Sequence, residues 1–238
     1  MKNPAASKAN AHARGFTLVE TVITIGIVAT LLTAFFAFFG FAGKSLRESI
    51  NGREADRLVN ALDRELSILR SGETDVDITT AFEKAYAWID GSSRDNGYIF
   101  VYNYHGNPGS LRADGTPEPD PDGTGTVLTP VVRFVTSTPP TEMSDDLEAV
   151  TGPVFFVKTT QLVYREGDLE LGEPGVVPPH EGQSPLPSGT GAEAYPEGTL
   201  AFQADFYLLA SNSEDYIQQF TPENLRRPIF SRRMAVLR

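Results

Sequence analysis

Hydrophobic and polar positions divide the 238-residue chain into three regimes. From Thr21 to Gly43 an apolar run of 23 residues contains no charge, and about 20 apolar residues of helix are enough to cross a bilayer's hydrocarbon core. After Lys44 the apolar positions thin to a stripe: Leu46, Ile50, Leu58, Leu62, Leu66 and Leu69, joined by Ala55 and Val59. Steps of three and four residues along that stripe mark one helix face. Arg47, Glu48, Arg53, Glu54, Arg57, Asp63 and Arg64 occupy the other faces, with Arg53 and Asp56 spaced as an i,i+3 pair. Together the patterns predict one helix from about Phe16 to Leu69, ending before Ser71-Gly72. At 1.5 Å per residue it is on the order of 80 Å long. No proline interrupts the apolar half, so Gly26, Gly40 and Gly43 are its weak points.

Beyond Gly72 the period changes from helix to strand. Thr80-Ala81-Phe82-Glu83 is a capping-box pattern that opens a helix running through Ile89 and stopping at Asp90-Gly91. Phe82, Ala85, Tyr86 and Ile89 form its expected buried face, with Trp88 beside it as core or rim packing. Runs rich in Val, Phe, Tyr and Ile predict strands over 98–104, 131–137, 154–158, 161–165, 200–209 and 229–237. A further short helix is expected to start at Thr221-Pro222-Glu223. Residues 105–126 contain nine Gly or Pro among 22, and residues 172–199 twelve among 28, which reads as two long surface loops. A long helix followed by strands is an α+β fold, the helix packed on a small antiparallel sheet.

Charge narrows the function. The formal net charge is −11, and without residues 1–15, which hold Lys2, Lys8 and Arg14, 17 basic residues face 31 acidic ones. Such a body is repelled by nucleic acid at long range. With no cysteine there is no disulfide framework, thiol nucleophile or Cys-based metal site. His105 and His180 lie 75 residues apart, without the spacing of a zinc motif. Asp114, Glu118, Asp120 and Asp122 crowd one segment, but Pro119 and Pro121 break it and the ligand spacing of a calcium loop is missing. No phosphate loop, dinucleotide fingerprint or nucleophile elbow is present. The reading is a non-enzyme with no cofactor and no metal. Arg226, Arg227, Arg232, Arg233 and Arg238 gather in 225–238, where Arg226 to Arg238 contain no acidic residue, as a solvated strand and turn, as a docking surface for another subunit's acidic body, or as a DNA-capture patch.

The start of the chain carries the sharpest signal. Ala5-Ala6-Ser7 and Ala9-Asn10-Ala11 precede the apolar run, the wrong side for a secretory signal peptidase. One reading is a plain signal anchor with Glu20 tolerated near the interface. The other rests on Gly15-Phe16-Thr17-Leu18-Val19-Glu20, which resembles the class III leader junction of type IV prepilins and type II secretion pseudopilins. The resemblance implies a cleaved leader, 1–15, cut between Gly15 and Phe16 by a prepilin peptidase that N-methylates Phe16. It implies 16–43 as transmembrane and filament-core helix, 44–70 as its amphipathic continuation and 71–238 as a pilin-like globular domain. Glu20 is then the assembly carboxylate, pairing with the new amine of a neighbouring subunit. Expected partners are the prepilin peptidase, other pilin or pseudopilin subunits, the inner-membrane assembly platform and the lipid bilayer. The expected location is the bacterial inner membrane, single-pass, N-terminus cytoplasmic and globular domain periplasmic, then a pilus or pseudopilus. The length favours a minor component, and 57–69 resembles the J-type minor pseudopilins. An adhesin or DNA-capture tip on the same stalk is the alternative.

Overall fold

The computed structural model describes residues 17–71, 73, 78–92, 97–123, 125–136, 141–165, 167–177, 191–222, 225 and 227–238. The chain packs as two units, Met1–Arg47 and Glu48–Arg238. In the first, helix α1 (Leu18–Leu66) begins at the apolar run. No residue of 18–50 is buried. The hydroxyls of Thr24, Thr30 and Thr33 donate to the carbonyls of Glu20, Gly26 and Ala29 at 2.8–2.9 Å. Each polar side chain in the apolar stretch thus finds its partner inside the helix, as a lipid environment demands.

In the second unit, seven strands form one antiparallel sheet. They are β1 (Tyr98–Leu111), β2 (Pro117–Pro119), β3 (Val127–Val135), β4 (Val150–Arg165), β5 (Asp168–Pro174), β6 (Thr199–Leu208) and β7 (Phe230–Leu237). β1 pairs with β2, β3 and β4; β4 also pairs with β5 and β6; β7 pairs with β6. Among the described residues the unit also holds the α-helices α2 (Ala81–Gly91), α3 (Thr141–Glu148) and α4 (Glu214–Gln218). One sheet face buries Ile99, Val101, Phe155, Val157, Phe202 and Phe206 against Ala55, Leu58, Leu62 and Leu66 of α1 and Phe82, Ala85 and Ile89 of α2. The opposite face buries Phe100, Tyr102 and Phe156 against Met143 of α3, Ile217 of α4 and Phe220. Phe220 meets the rings of Phe156 at 5.0 Å and Phe100 at 5.6 Å. Each fully buried side chain of this kind contributes about 1.5–3 kcal/mol.

Two ionic clusters lock helices onto this sheet. Lys84 of α2, 1 % exposed, donates from Nζ to Glu65 at 2.6 Å and to Glu73 at 2.7 Å. Arg70 closes on the same Glu65 carboxylate at 2.7 Å, so the end of α1 is tied to α2. Burial alone raises the Glu65 pKa, but Arg70 and Lys84 outweigh it and hold the carboxyl below its ordinary 4.5. On the other face Asp146 of α3, fully buried, receives Tyr102 Oη at 2.9 Å, Arg133 Nε at 3.0 Å and Arg112 at 2.5 Å. Burial, and then the Asp146 charge, push the Tyr102 hydroxyl well above its ordinary value.

The α+β architecture matches expectation, with several boundaries moved. The last turn of α1 tightens, Ser67 N–H donating to Arg64 O, so the helix stops at Leu66 and not Leu69. The stripe is buried only from Ala55 onward; Leu46 and Ile50 stay exposed. Residues 154–158 and 161–165 are one strand, because Thr159, Thr160 and Gln161 pair with Ala204, Gln203 and Phe202 of β6. The expected loop 105–126 contains the end of β1 and all of β2. There Gly106 is needed for close approach: a Cβ on it would stand 2.7 Å from Pro117 Cβ. Of the expected loop 172–199, residues 172–174 belong to β5, Ala192–Ala194 form a 3-10 turn, and 178–190 lie outside the described residues. Of the expected helix start Thr221-Pro222-Glu223, Thr221 and Pro222 are described and Glu223 lies outside the described residues.

Candidate processing and assembly site

Thr17 begins the described chain and shapes the start of α1. Its Oγ1 accepts the Glu20 N–H at 3.2 Å, and its carbonyl accepts the Thr21 N–H at 3.1 Å. This is half of a capping box, Thr-x-x-Glu, and it satisfies one of the donors a helix N-terminus leaves open. The helix thus begins at Leu18, two residues inside the expected Phe16. In sequence the helix cap falls immediately after Gly15 and Phe16 of the six-residue junction. Those two lie outside the described residues.

Glu20 stands in the first turn of α1 and is exposed. Its backbone is fully used: the N–H goes to Thr17 and the carbonyl accepts Thr24 Oγ1. A carboxylate in the first turn also complements the positive end of the helix dipole. Past it, Val22, Ile23, Ile27, Leu31, Phe35 and Phe38 lead a surface whose large apolar side chains are 48–81 % exposed between Leu18 and Phe41. Leu18–Leu66 is long and apolar enough to cross a membrane. A Cβ placed on Gly26, Gly40 or Gly43 meets nothing within 4 Å, so none of these glycines is required by packing within the subunit.

Other candidates from the sequence resolve into structural roles. Asp114 accepts from Thr116 and pairs with Arg133 at 3.2 Å; Glu118 accepts from Ser110 and Asp120 from the Asp122 N–H. These carboxylates are spent on separate protein donors. His105 Nδ1 lies 3.2 Å from Thr126 Oγ1; His180 is outside the described residues. Trp88 is half-buried at the rim, stacked on Phe134 with centroids 5.4 Å apart and Lys84 Nζ 4.7 Å from its ring. Among the C-terminal arginines, Arg238 donates to the carbonyls of Ala192 and Tyr195 and covers the Phe82 ring, and Arg232 lies 3.6 Å from Asp56. Arg227 and Arg233 are exposed, and Arg226 lies outside the described residues.

Residues 10–36 match the family model described as the prokaryotic N-terminal methylation motif. The match spans the leader junction, Thr17, Glu20 and most of the apolar run, so this chain carries the leader of a prepilin-type substrate. No curated protein and no solved structure matches the chain.

Proposed function

We propose that the chain is a prepilin-type structural subunit, cut between Gly15 and Phe16, N-methylated on Phe16 and assembled through its N-terminal helix into a type IV pilus or type II secretion pseudopilus. The observation that carries this reading is the methylation motif over 10–36 set on a helix whose apolar surface is uncovered from Leu18 to Ile50. The leader, 1–15, is removed; 16–43 serves first as membrane anchor and then as filament core; 44–70 continues the helix; 71–238 is the globular domain. Before processing the N-terminus is cytoplasmic and the globular domain periplasmic. The partners are the prepilin peptidase, neighbouring pilin or pseudopilin subunits and the inner-membrane assembly platform. A chain of 238 residues with Gly/Pro-rich segments at 105–126 and 172–199 fits a minor component better than a compact major one.

A glycine before the cut has a physical reason, since a residue without a side chain lets the protease approach the backbone closely. The Thr17 cap supports the same reading: it starts the helix after the junction and leaves the helix intact when the leader is lost. Intact-mass measurement on the membrane-extracted chain tests the proposal. The expected mass lacks residues 1–15 and carries one added methyl. Assembled material that retains the intact leader refutes it.

A further inference from the structure

Among the described residues β2, β3, β5 and β7 each pair with one strand only, and β5 and β7 are edges of opposite character. β7 pairs only with β6 among the described residues, through eight residue pairs from Thr199↔Leu237 to Phe206↔Phe230. It contains no proline, whereas β3, on the far flank of the sheet, includes Pro130 and so withholds a backbone donor. Ser231, Arg232, Arg233, Ala235 and Leu237 are exposed, Leu237 by 73 %. From Phe230 to Arg238 the chain is basic, with no acidic residue.

β5 is the other edge. It pairs only with β4 among the described residues, and the register Leu162↔Leu171 and Tyr164↔Leu169 sets those four side chains on one face. Tyr164, Leu169 and Leu171 are 64, 44 and 53 % exposed, an apolar row on a projecting hairpin. Asp168 and Glu170 occupy the opposite face, also exposed. From Asp168 to Glu173 the strand is acidic, with no basic residue. An unpaired edge of this kind templates a further strand, and an apolar row beside it is a contact surface in search of a cover.

We propose that the β5 edge of one copy adds antiparallel to the β7 edge of a second copy, so that one sheet continues into the next. In the register that sets Leu169 opposite Ala235, Leu171 falls opposite Arg233 and Gly172 opposite Arg232. Leu169 then lies diagonal to Leu237, and Glu170 diagonal to Arg232 on the other face. Leu169 meets Ala235 and Leu237, and Glu170, directly opposite Met234, reaches Arg232 on the diagonal, with backbone hydrogen bonds supplying affinity and the alternating side chains specificity. The Arg233 stem can lie along Leu171 while its charge stays in water. Because the two edges differ and each copy has both, the contact is head-to-tail, building an open run or, where the rotation per copy closes, a ring. It joins short runs of copies through their globular parts, beyond the helix-driven assembly proposed above and independent of leader processing.

The absence of cysteine makes the test direct. Full-length chains are produced in membranes as two differently tagged forms, one with Leu169→Cys and one with Ala235→Cys, and oxidised. The expected yield of mixed disulfide dimer is about tenfold above that of either form with itself, equivalent to about 1.4 kcal/mol of preference. Adding Glu170→Arg to the first form lowers the mixed yield about tenfold, and Arg232→Glu in the second restores it. A second pair, Leu171→Cys with Arg233→Cys, guards against a local effect of one substitution. Equal mixed and self yields, insensitivity to charge reversal, or cross-links only to other proteins, in chains with a wild-type urea midpoint, overturn the proposal. Keeping the leader uncut leaves the expected result unchanged, so failure here and failure of the processing reading are separable.

Discussion

Lys84→Met is expected to lower the stability of the globular unit by about 3–5 kcal/mol, the usual cost of removing one partner from a buried ion pair. The Lys84 side chain is 1 % exposed and its ammonium reaches Glu65, Glu73 and the carbonyl of Ile68. Methionine fits the space but leaves the Glu65 carboxylate, 5 % exposed, with Arg70 alone. Adding Glu65→Gln to Lys84→Met should recover much of the loss, because the buried charge is then gone along with its partner. The urea midpoint of the full-length chain in detergent measures both. A loss below about 1 kcal/mol for the single change would mean that the cluster is solvated and stabilises little.

The same cluster predicts the direction of acid sensitivity. Glu65 and Asp114 are both held below their ordinary values in the folded chain. For Asp114, burial again opposes the shift, and bonds from Thr116 and Arg133 prevail. Near pH 4 the unfolded chain therefore binds more protons at these two carboxylates than the folded chain does. Their stabilisation is complete above about pH 4.5, the ordinary glutamate value, and is lost as pH falls through the depressed folded values. Lys84→Met should flatten the fall in midpoint between pH 5 and pH 3 relative to the unsubstituted chain, because Glu65 then titrates nearer its unfolded value.

Features set by neighbouring residues were legible in the sequence, and features set by distant ones were not. The apolar run, the stripe from Ala55 to Leu66 and the Thr80–Glu83 capping box are local, and α2 begins where the box says, with both reciprocal bonds formed. The strands β1 and β6 follow from their own branched and aromatic residues. By contrast, Thr159-Thr160 is polar and reads as a break, yet it is buried because β6 flanks it. α3 has only Met143 and Leu147 as apolar positions, too few for a period, and its key residue is a fully buried aspartate. Nothing along the chain foretells the arginines and glutamates that fold in around Asp146 and Lys84. Within the site the balance reverses. The junction at Gly15-Phe16 is legible as a motif, while the role of Glu20 depends on a partner this single chain does not contain.

Glu20→Ala is expected to leave cleavage and methylation intact and to reduce incorporation into fibres by tenfold or more, about 1.4 kcal/mol or above per contact. The substitution is clean because the Thr17 cap uses the backbone N–H of Glu20, which alanine keeps, and alanine is the best helix former. What is lost is the carboxylate alone. Among the described residues no side chain or backbone donor meets it, and a carboxylate in a membrane helix, costing about 2.5–3.5 kcal/mol at the centre and less near the edge, usually has a partner. On the processing proposed above, cutting after Gly15 creates such a partner, the amine of Phe16, which a neighbouring subunit brings to the carboxylate. Glu20→Gln separates charge from hydrogen bonding: it keeps the shape and an acceptor, and should assemble as poorly as alanine if the ion pair is what matters. Thr17→Ala is the counter-control, since it weakens the cap by about 1 kcal/mol and spares the carboxylate. Wild-type incorporation of the Glu20 variants, measured by shearing fibres from cells and blotting, would sink the pairing and leave Glu20 as a helix-dipole residue.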